Sequence, residues 1–226
     1  TITVLYWEEW RMTEFFAEET GDLIDDSIYR RNIKVAERLG IEFEFIPQPG
    51  DSTNHTAYVQ QAENDWSADN AYDIYAGYSR SLPLMSLKGM TTNLLEHENF
   101  SVEKPWWPEV MLDTATINNK LYFVTGDVST NSIHQMYVMF YNKDMLKNYA
   151  ELIEPSQHVD EGTWTMETLL TMTSGLYNDL NNNQKADKDD SFGFTSLNWH
   201  FDAIYYGCGM TMLEKDPDPA KLLKIA

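Results

Sequence analysis

The sequence predicts an α/β protein built on a mostly parallel sheet. Strand-like and helix-like stretches alternate from the first residue, the pattern of strands joined by helical crossovers. The opening "TITVLYW" is β-branched and aromatic without polar alternation, as a central strand buried on both faces should be. Gly40, Gly77 and Gly89 punctuate the chain where these elements would stop. With 226 residues, 42% hydrophobic and 23% charged, the chain is long enough for one large domain or two small ones with real cores.

The first strand is followed by a polar stretch and then by "DLIDDSIYRRNIKVAERLG". Ile24, Ile28, Val35 and Leu39 fall near helical spacing there, and Gly40 stands at the expected C-cap. "IEFEFIP" alternates Ile41, Phe43 and Phe45 and reads as a half-buried strand stopped by Pro47. "HTAYVQQAENDW" predicts a helix, "YDIYAGYS" a short strand running into Gly77, and "RSLPLMSLKGM" a short helix closed by Gly89. Asn118-Asn119 predicts a turn leading to a strand in "KLYFV", and the small polar "TGDVSTNS" has the composition of a hinge. Beyond it, "HQMYVMFYN" reads as a strand, "KDMLKNYAEL" as a short helix, and "GTWTMETLLTMTSGLYN" as a helix capped by Thr165. "SFGFTSL" predicts a further strand and "NWHFDAIYYGCGM" an aromatic-rich helix.

Charge narrows the partners. Sixteen basic against 36 acidic residues give a net charge of −20, which repels nucleic acid and anionic headgroups and favours neutral or cationic ligands. The single cysteine, Cys208, excludes an internal disulfide. No run approaches the roughly 20 apolar residues of a membrane span. The chain opens at Thr1 instead of Met, and its N-terminus is read as trimmed.

Four stretches, in order along the chain, resemble the extracellular solute-binding proteins of ABC importers, in the large family that handles carbohydrates. They are "ETGDLIDDSIYRRNIKVAERLGIEFEFI", "YDIYAGYSRSLPLMSLKGMTTNLLE", "NNKLYFVTGDVSTNSIHQMYVMFYNKDML" and "GTWTMETLL". The resemblance implies a periplasmic-binding-protein-like fold of two α/β lobes joined by crossing strands, with ligand held in the cleft between them. On that template residues 1–125 form the first lobe, 126–135 a hinge or crossover, and 136–226 a partial second lobe, so the chain is expected to be a fragment lacking the C-terminal part. The implied role is capture of a sugar or oligosaccharide for a membrane permease, by a lipoprotein anchored outside the cell through a cysteine preceding Thr1, or free in a periplasm.

Sugars are recognised by stacking on aromatic rings and by hydrogen bonds from planar polar groups. In doubly wound sheets ligands sit at the carboxyl ends of strands. These rules select Trp7 and Glu8, within "YWEEW" (Tyr6 to Trp10), Tyr78 and Ser79 after Gly77, and Asp127 beside Gly126 at the hinge. In the second lobe they select Trp199 and Tyr205, with His200 and Tyr206 beside them. Each ring competes with simple core packing, since 13% aromatic content supplies many that never touch ligand. The Trp106-Trp107 pair between prolines reads as a packing wedge or a lobe-edge contact.

Catalytic signals are weak. Glu8 and Asp127 could pair for glycoside hydrolysis, but 36 acids make such pairs common. The five histidines show no metal-ligand spacing, and no GxSxG or phosphate-cradling loop occurs. Binding without turnover is the leading expectation. A calcium-dependent extracellular glycan hydrolase and a receptor for peptides or other polar solutes are the alternatives.

Residues 179–190, "DLNNNQKADKDD", match a twelve-residue calcium loop. Ca2+ would take oxygens from Asp179, Asn181, Asn183, the carbonyl of Lys185, Asp187 and Asp190. The sixth position is Gln184 where glycine is usual, so a left-handed turn there costs on the order of 1 kcal/mol. The twelfth is aspartate, as in dockerin loops, and the exit is strand-like. An Asn/Asp turn is the competing reading. The expected role of the ion is structural.

Overall fold

A computed structural model describes residues 1–70, 72–149, 151–216 and 223–225. The chain is a mixed α/β protein that divides into two compact units, Thr1–Met136 and Tyr137–Ala226.

In the first unit, strands β1 (Ile2–Trp7), β2 (Phe43–Gln48) and β3 (Ile74–Ala76) form a parallel sheet of order β2-β1-β3. Pairing runs from Ile2 opposite Phe43 to Trp7 opposite Gln48, and from Val4 opposite Ile74 to Tyr6 opposite Ala76. The central strand is closed on both faces: Val4, Leu5, Tyr6 and Trp7 are all buried. That accounts for its lack of polar alternation.

β2 corrects the expectation that Pro47 ends the strand, since pairing continues to Gln48. The Ile2 N–H donates to the Glu42 carbonyl at 2.7 Å. In parallel pairing that phase turns the even-numbered N–H groups of β2 towards β1 and the odd-numbered ones outwards. Pro47 therefore lacks a donor where β1 needs none, on an edge strand that tolerates it.

A 3-10 turn, Glu8–Trp10, and the single helical turn α1 (Arg11–Glu14) fold the chain back at the end of β1. Helix α2 (Leu23–Leu39) starts at Asp22, whose side chain accepts the N–H groups of Ile24 and Asp25, and stops at Gly40 with φ 64°. Of the apolar residues at helical spacing, Ile28 is buried, whereas Ile24, Val35 and Leu39 are exposed. The helix packs on α1, and its buried residues are Asp25 and Ile28.

Helix α3 (His55–Ser67) lays Tyr58, Val59 and Ala62 on the sheet face that carries Leu5 and Trp7. Helix α4 (Ser81–Leu87), which leads to Gly89, adds Met85, and Met90 completes the cluster. The Tyr58 hydroxyl donates to the Leu5 carbonyl at 2.9 Å, and burial pushes its pKa up. On the opposite face Tyr6 meets Phe15 and Phe45 at ring separations of 5.8 and 6.2 Å.

After a 3-10 turn at Leu94–Glu96 come α5 (Glu109–Ala115) and the single turn α6 (Asn131–His134). Asn118 and Asn119 form the expected turn with φ of 51° and 58°. The strand expected in "KLYFV" does not form. Lys120 makes one isolated bridge with Ile117, and Leu121 is held by the Asn93 side chain at 3.0 Å instead of a ladder.

The second unit holds α7 (Lys143–Leu146), α8 (Pro155–Asp160), α9 (Met166–Thr173) and α10 (His200–Gly207), with β4 (Leu213–Lys215) antiparallel to β5 (Leu223–Ile225). Thr165 caps α9 as expected, its hydroxyl accepting the Thr168 N–H at 3.1 Å. The strands expected in "HQMYVMFYN" and "SFGFTSL" join no ladder among the described residues. Their composition favours an extended backbone, but a strand exists only where a neighbour takes its hydrogen bonds. The first leaves Tyr137, Val138 and Phe140 exposed. The second is held by the bridge from Asn178 to Ser191 and by Gly193, where an added Cβ would lie 2.2 Å from the Thr173 carbonyl. Among the described residues no helix is long and apolar enough to cross a membrane.

Candidate functional site

The carboxyl end of the parallel sheet carries a cluster of rings. Trp7 is the last residue of β1, and Tyr78 follows β3 by two residues. Their rings stack with centroids 5.6 Å apart and planes inclined by 30°. Trp10 packs on Trp7 at 5.9 Å, and the His55 ring meets Tyr78 edge-on at 6.4 Å. Trp7 is 7% exposed, whereas Tyr78, Trp10 and His55 are half-buried. A buried indole thus backs a partly accessible phenol, a rigid apolar surface with polar atoms at its rim.

Two glycines let this packing occur. At Gly50, after β2, an added Cβ would lie 2.8 Å from Tyr58 Cδ2 and 2.9 Å from Trp7 Cβ. At Gly77 it would lie 3.1 Å from Tyr58 Cε1. The Gly50 N–H donates to both Glu9 oxygens, at 3.1 and 3.0 Å, so Glu9 fixes the loop after β2 against the turn after β1.

Beneath the rings lies Glu14, 4% exposed. Its Oε2 accepts the Trp7 indole N–H at 3.4 Å. Its Oε1 accepts the Asn131 backbone N–H at 3.2 Å and the Ser129 hydroxyl. A buried carboxylate needs such donors, and three of the described residues supply them. Arg31 is nearby: burial lowers its pKa, and the charge of Glu14 raises it again.

Within the first unit the expected site residues divide. Trp7 and Tyr78 come together. Glu8 and Ser79 are exposed, and Asp127 is exposed with its N–H donating to the Trp106 carbonyl at 3.0 Å. Gly126 lies against that same carbonyl, where a Cβ would come within 2.3 Å. Trp107 packs on Phe100 at 5.3 Å, a packing role for one ring of the tryptophan pair. In the second unit Trp199 is 59% exposed and meets His200 edge-on at 6.2 Å, and His200 meets Tyr137 at 5.6 Å. The Tyr205 hydroxyl donates to the Thr211 carbonyl at 3.0 Å, and its ring stands perpendicular to Tyr206. Glu14, Ser129 and Asn131 were not anticipated, and no local pattern singles them out.

Each unit also has a hollow of its own. One of about 180 Å³, lined by Arg11, Phe16, Ala17, Glu18, Thr20 and Asp25, is below the roughly 300 Å³ of ordinary ligand pockets. The other, about 390 Å³, belongs to the second unit, and its lining includes Glu151, Leu152, Ile153, His158, Glu167 and Met172.

Residues 179–190 form a tight loop closed by the bridge from Asn178 to Ser191. Gln184 adopts φ 61°, the left-handed conformation required at the sixth position. Asp179 accepts the N–H groups of Asn183 at 3.2 Å and Gln184 at 2.8 Å, and Asn183 Oδ1 accepts that of Lys185 at 2.7 Å. Asp187 accepts the Asp189 N–H and the side-chain amides of Asn183 and Asn181, which hold its carboxyl below the usual range. Asp190 accepts the Tyr177 hydroxyl at 2.8 Å, pushing that phenol up to about 12. Among the described residues no three His, Cys, Asp or Glu side chains converge as on a metal ion. The amide nitrogens of Asn181 and Asn183 meet Asp187 where a cation would require oxygens.

No family model, no curated protein and no solved structure matches this chain.

Proposed function

We propose that the chain is the solute-binding component of an importer and takes a sugar or oligosaccharide on the Trp7–Tyr78 surface. The observation that carries this reading is the stacked pair of rings at the carboxyl end of the parallel strands. That is where doubly wound sheets bind ligands, and a half-buried aromatic face suits the C–H face of a pyranose. Net charge of −20 supports a neutral ligand. The two-lobe fold, a membrane permease as partner and a place outside the cytoplasm belong to the same proposal through the sequence resemblance.

The test is a thermal-shift and calorimetric screen of maltotriose, cellotriose, xylotriose and chitotriose, with product analysis alongside. Binding without released sugar, weakened at least tenfold by Tyr78→Ala, supports the receptor. Released sugar favours the hydrolase instead. Binding of peptides but no saccharide favours the third reading.

The proposal includes a structural calcium ion at Asp179, Asn181, Asn183, the Lys185 carbonyl, Asp187 and Asp190. Its support is the left-handed Gln184 and the donor set of three carboxylates and two amides. The amides of Asn181 and Asn183 would turn to present oxygen.

A further inference from the structure

Glu14 joins two parts of the first unit, the aromatic surface and the segment 129–131, whose Ser129 lies 115 residues along the sequence from Glu14. One oxygen holds the Trp7 indole N–H, and the other holds Ser129 and the Asn131 backbone. Asn131 is itself buried, and its side-chain oxygen accepts the Gln135 amide at 3.3 Å, so the hold extends along α6. We propose that Glu14 is a positioning residue that couples the setting of the Trp7 ring to the anchoring of residues 129–131. A ligand stacked on the surface would then tighten that segment, and the segment would in turn set ligand affinity, because coupling is reciprocal. This regulatory consequence rests on the reading of Trp7 and Tyr78 as the ligand surface, but the coupling itself does not.

The chemistry of the carboxylate makes the idea specific. Among the described residues Glu14 accepts from three donors, two on one oxygen and one on the other. A glutamine has one acceptor oxygen and a donor NH2 group, so it can serve one side and must oppose the other. With two donors on the segment side, the glutamine oxygen belongs there. Glu14→Gln should therefore keep residues 129–131 anchored and release the indole.

The experiment uses the full chain without ligand, so its failure is separate from failure of the sugar reading. The Trp7 indole N–H resonance and the exchange rate of the Asn131 amide are followed by NMR in the parent, Ser129→Ala, Trp7→Phe and Glu14→Gln proteins. Ser129→Ala is expected to shift the Trp7 indole resonance, although Ser129 bonds to Glu14 and not to the indole. Trp7→Phe, which keeps a ring but loses the N–H, is expected to change Asn131 exchange about fivefold, the effect of one hydrogen bond. In the Glu14→Gln background, Ser129→Ala should leave the indole resonance unmoved. An indole resonance indifferent to Ser129→Ala, or shifted equally in both backgrounds, overturns the coupling. If Glu14→Gln does not fold, the Ser129→Ala and Trp7→Phe arms decide it: both responses sustain the proposal, and absence of either overturns it.

Discussion

Replacing Gly50 by alanine tests the packing beneath the aromatic surface. The new methyl carbon would stand 2.8 Å from Tyr58 Cδ2 and 2.9 Å from Trp7 Cβ, where ordinary contacts begin at 3.4 Å. About half an ångström must therefore be found on two sides at once. Neither neighbour yields easily: Tyr58 is fully buried and tied to the Leu5 carbonyl, and Trp7 Cβ is fixed by the central strand. Overpacking of this kind costs about 1–3 kcal/mol. At roughly 4 °C per kcal/mol, the melting temperature should fall by about 4–12 °C. The N–H to Glu9 survives the substitution, so the loss measures crowding and not a missing hydrogen bond. Gly207→Ala is the control, because nothing lies within 4 Å of its added Cβ and helix α10 favours alanine over glycine. Calorimetry of both variants decides the matter. A Gly50→Ala melt within a degree of the parent would refute the described packing of Trp7, Tyr58 and the loop after β2.

Tyr58→Phe removes the donor to the Leu5 carbonyl at 2.9 Å and should destabilise by about 1–2 kcal/mol in urea titrations. Asp73 accepts the Thr3 N–H at 2.7 Å and its hydroxyl at 2.8 Å, which lower its pKa below 3.8. The unfolded chain then binds more protons in that window, so this stability is present above pH 3.8 and is lost as pH falls through the lower folded value. Asp73→Asn should flatten that acid limb, read from melts between pH 2 and 5. Addition of calcium should raise the melting temperature and a chelator should reverse it, with Asp187→Asn abolishing the response; identical melts with and without the ion would sink the calcium loop. Spectrophotometric titration of Tyr177 should show ionisation near 12, returning towards 10 in Asp190→Asn.

The first unit was legible where local chemistry and tertiary demand agree. A run such as Val4–Trp7 has no charged or strongly polar residue to expose, so it reads as central, and Gly40 supplies the left-handed cap that ends α2. Trp7 and Tyr78 followed from the rule for strand ends. Glu14 was invisible because "EEWRMTEFFAEE" offers several equivalent acids, and the donors that bury one of them lie far along the chain. The stretches 120–124, 134–142 and 191–197 failed for the converse reason. Their residues prefer an extended backbone, but a ladder is decided by a partner that no local window contains. Spacing marked the helix α2 correctly but carries no information on how much of its apolar stripe the fold covers.

Pro47 gives the small sheet a direction. With its ring on the outward side of β2, the outer rim lacks a donor at that rung, and an incoming strand would find the pairing broken there. The opposite rim, along β3, carries no such block between Ile74 and Ala76. Any strand that widens this sheet, from the same chain or another, should therefore enter beside β3, leaving the β2 rim as a built-in barrier to edge-to-edge aggregation.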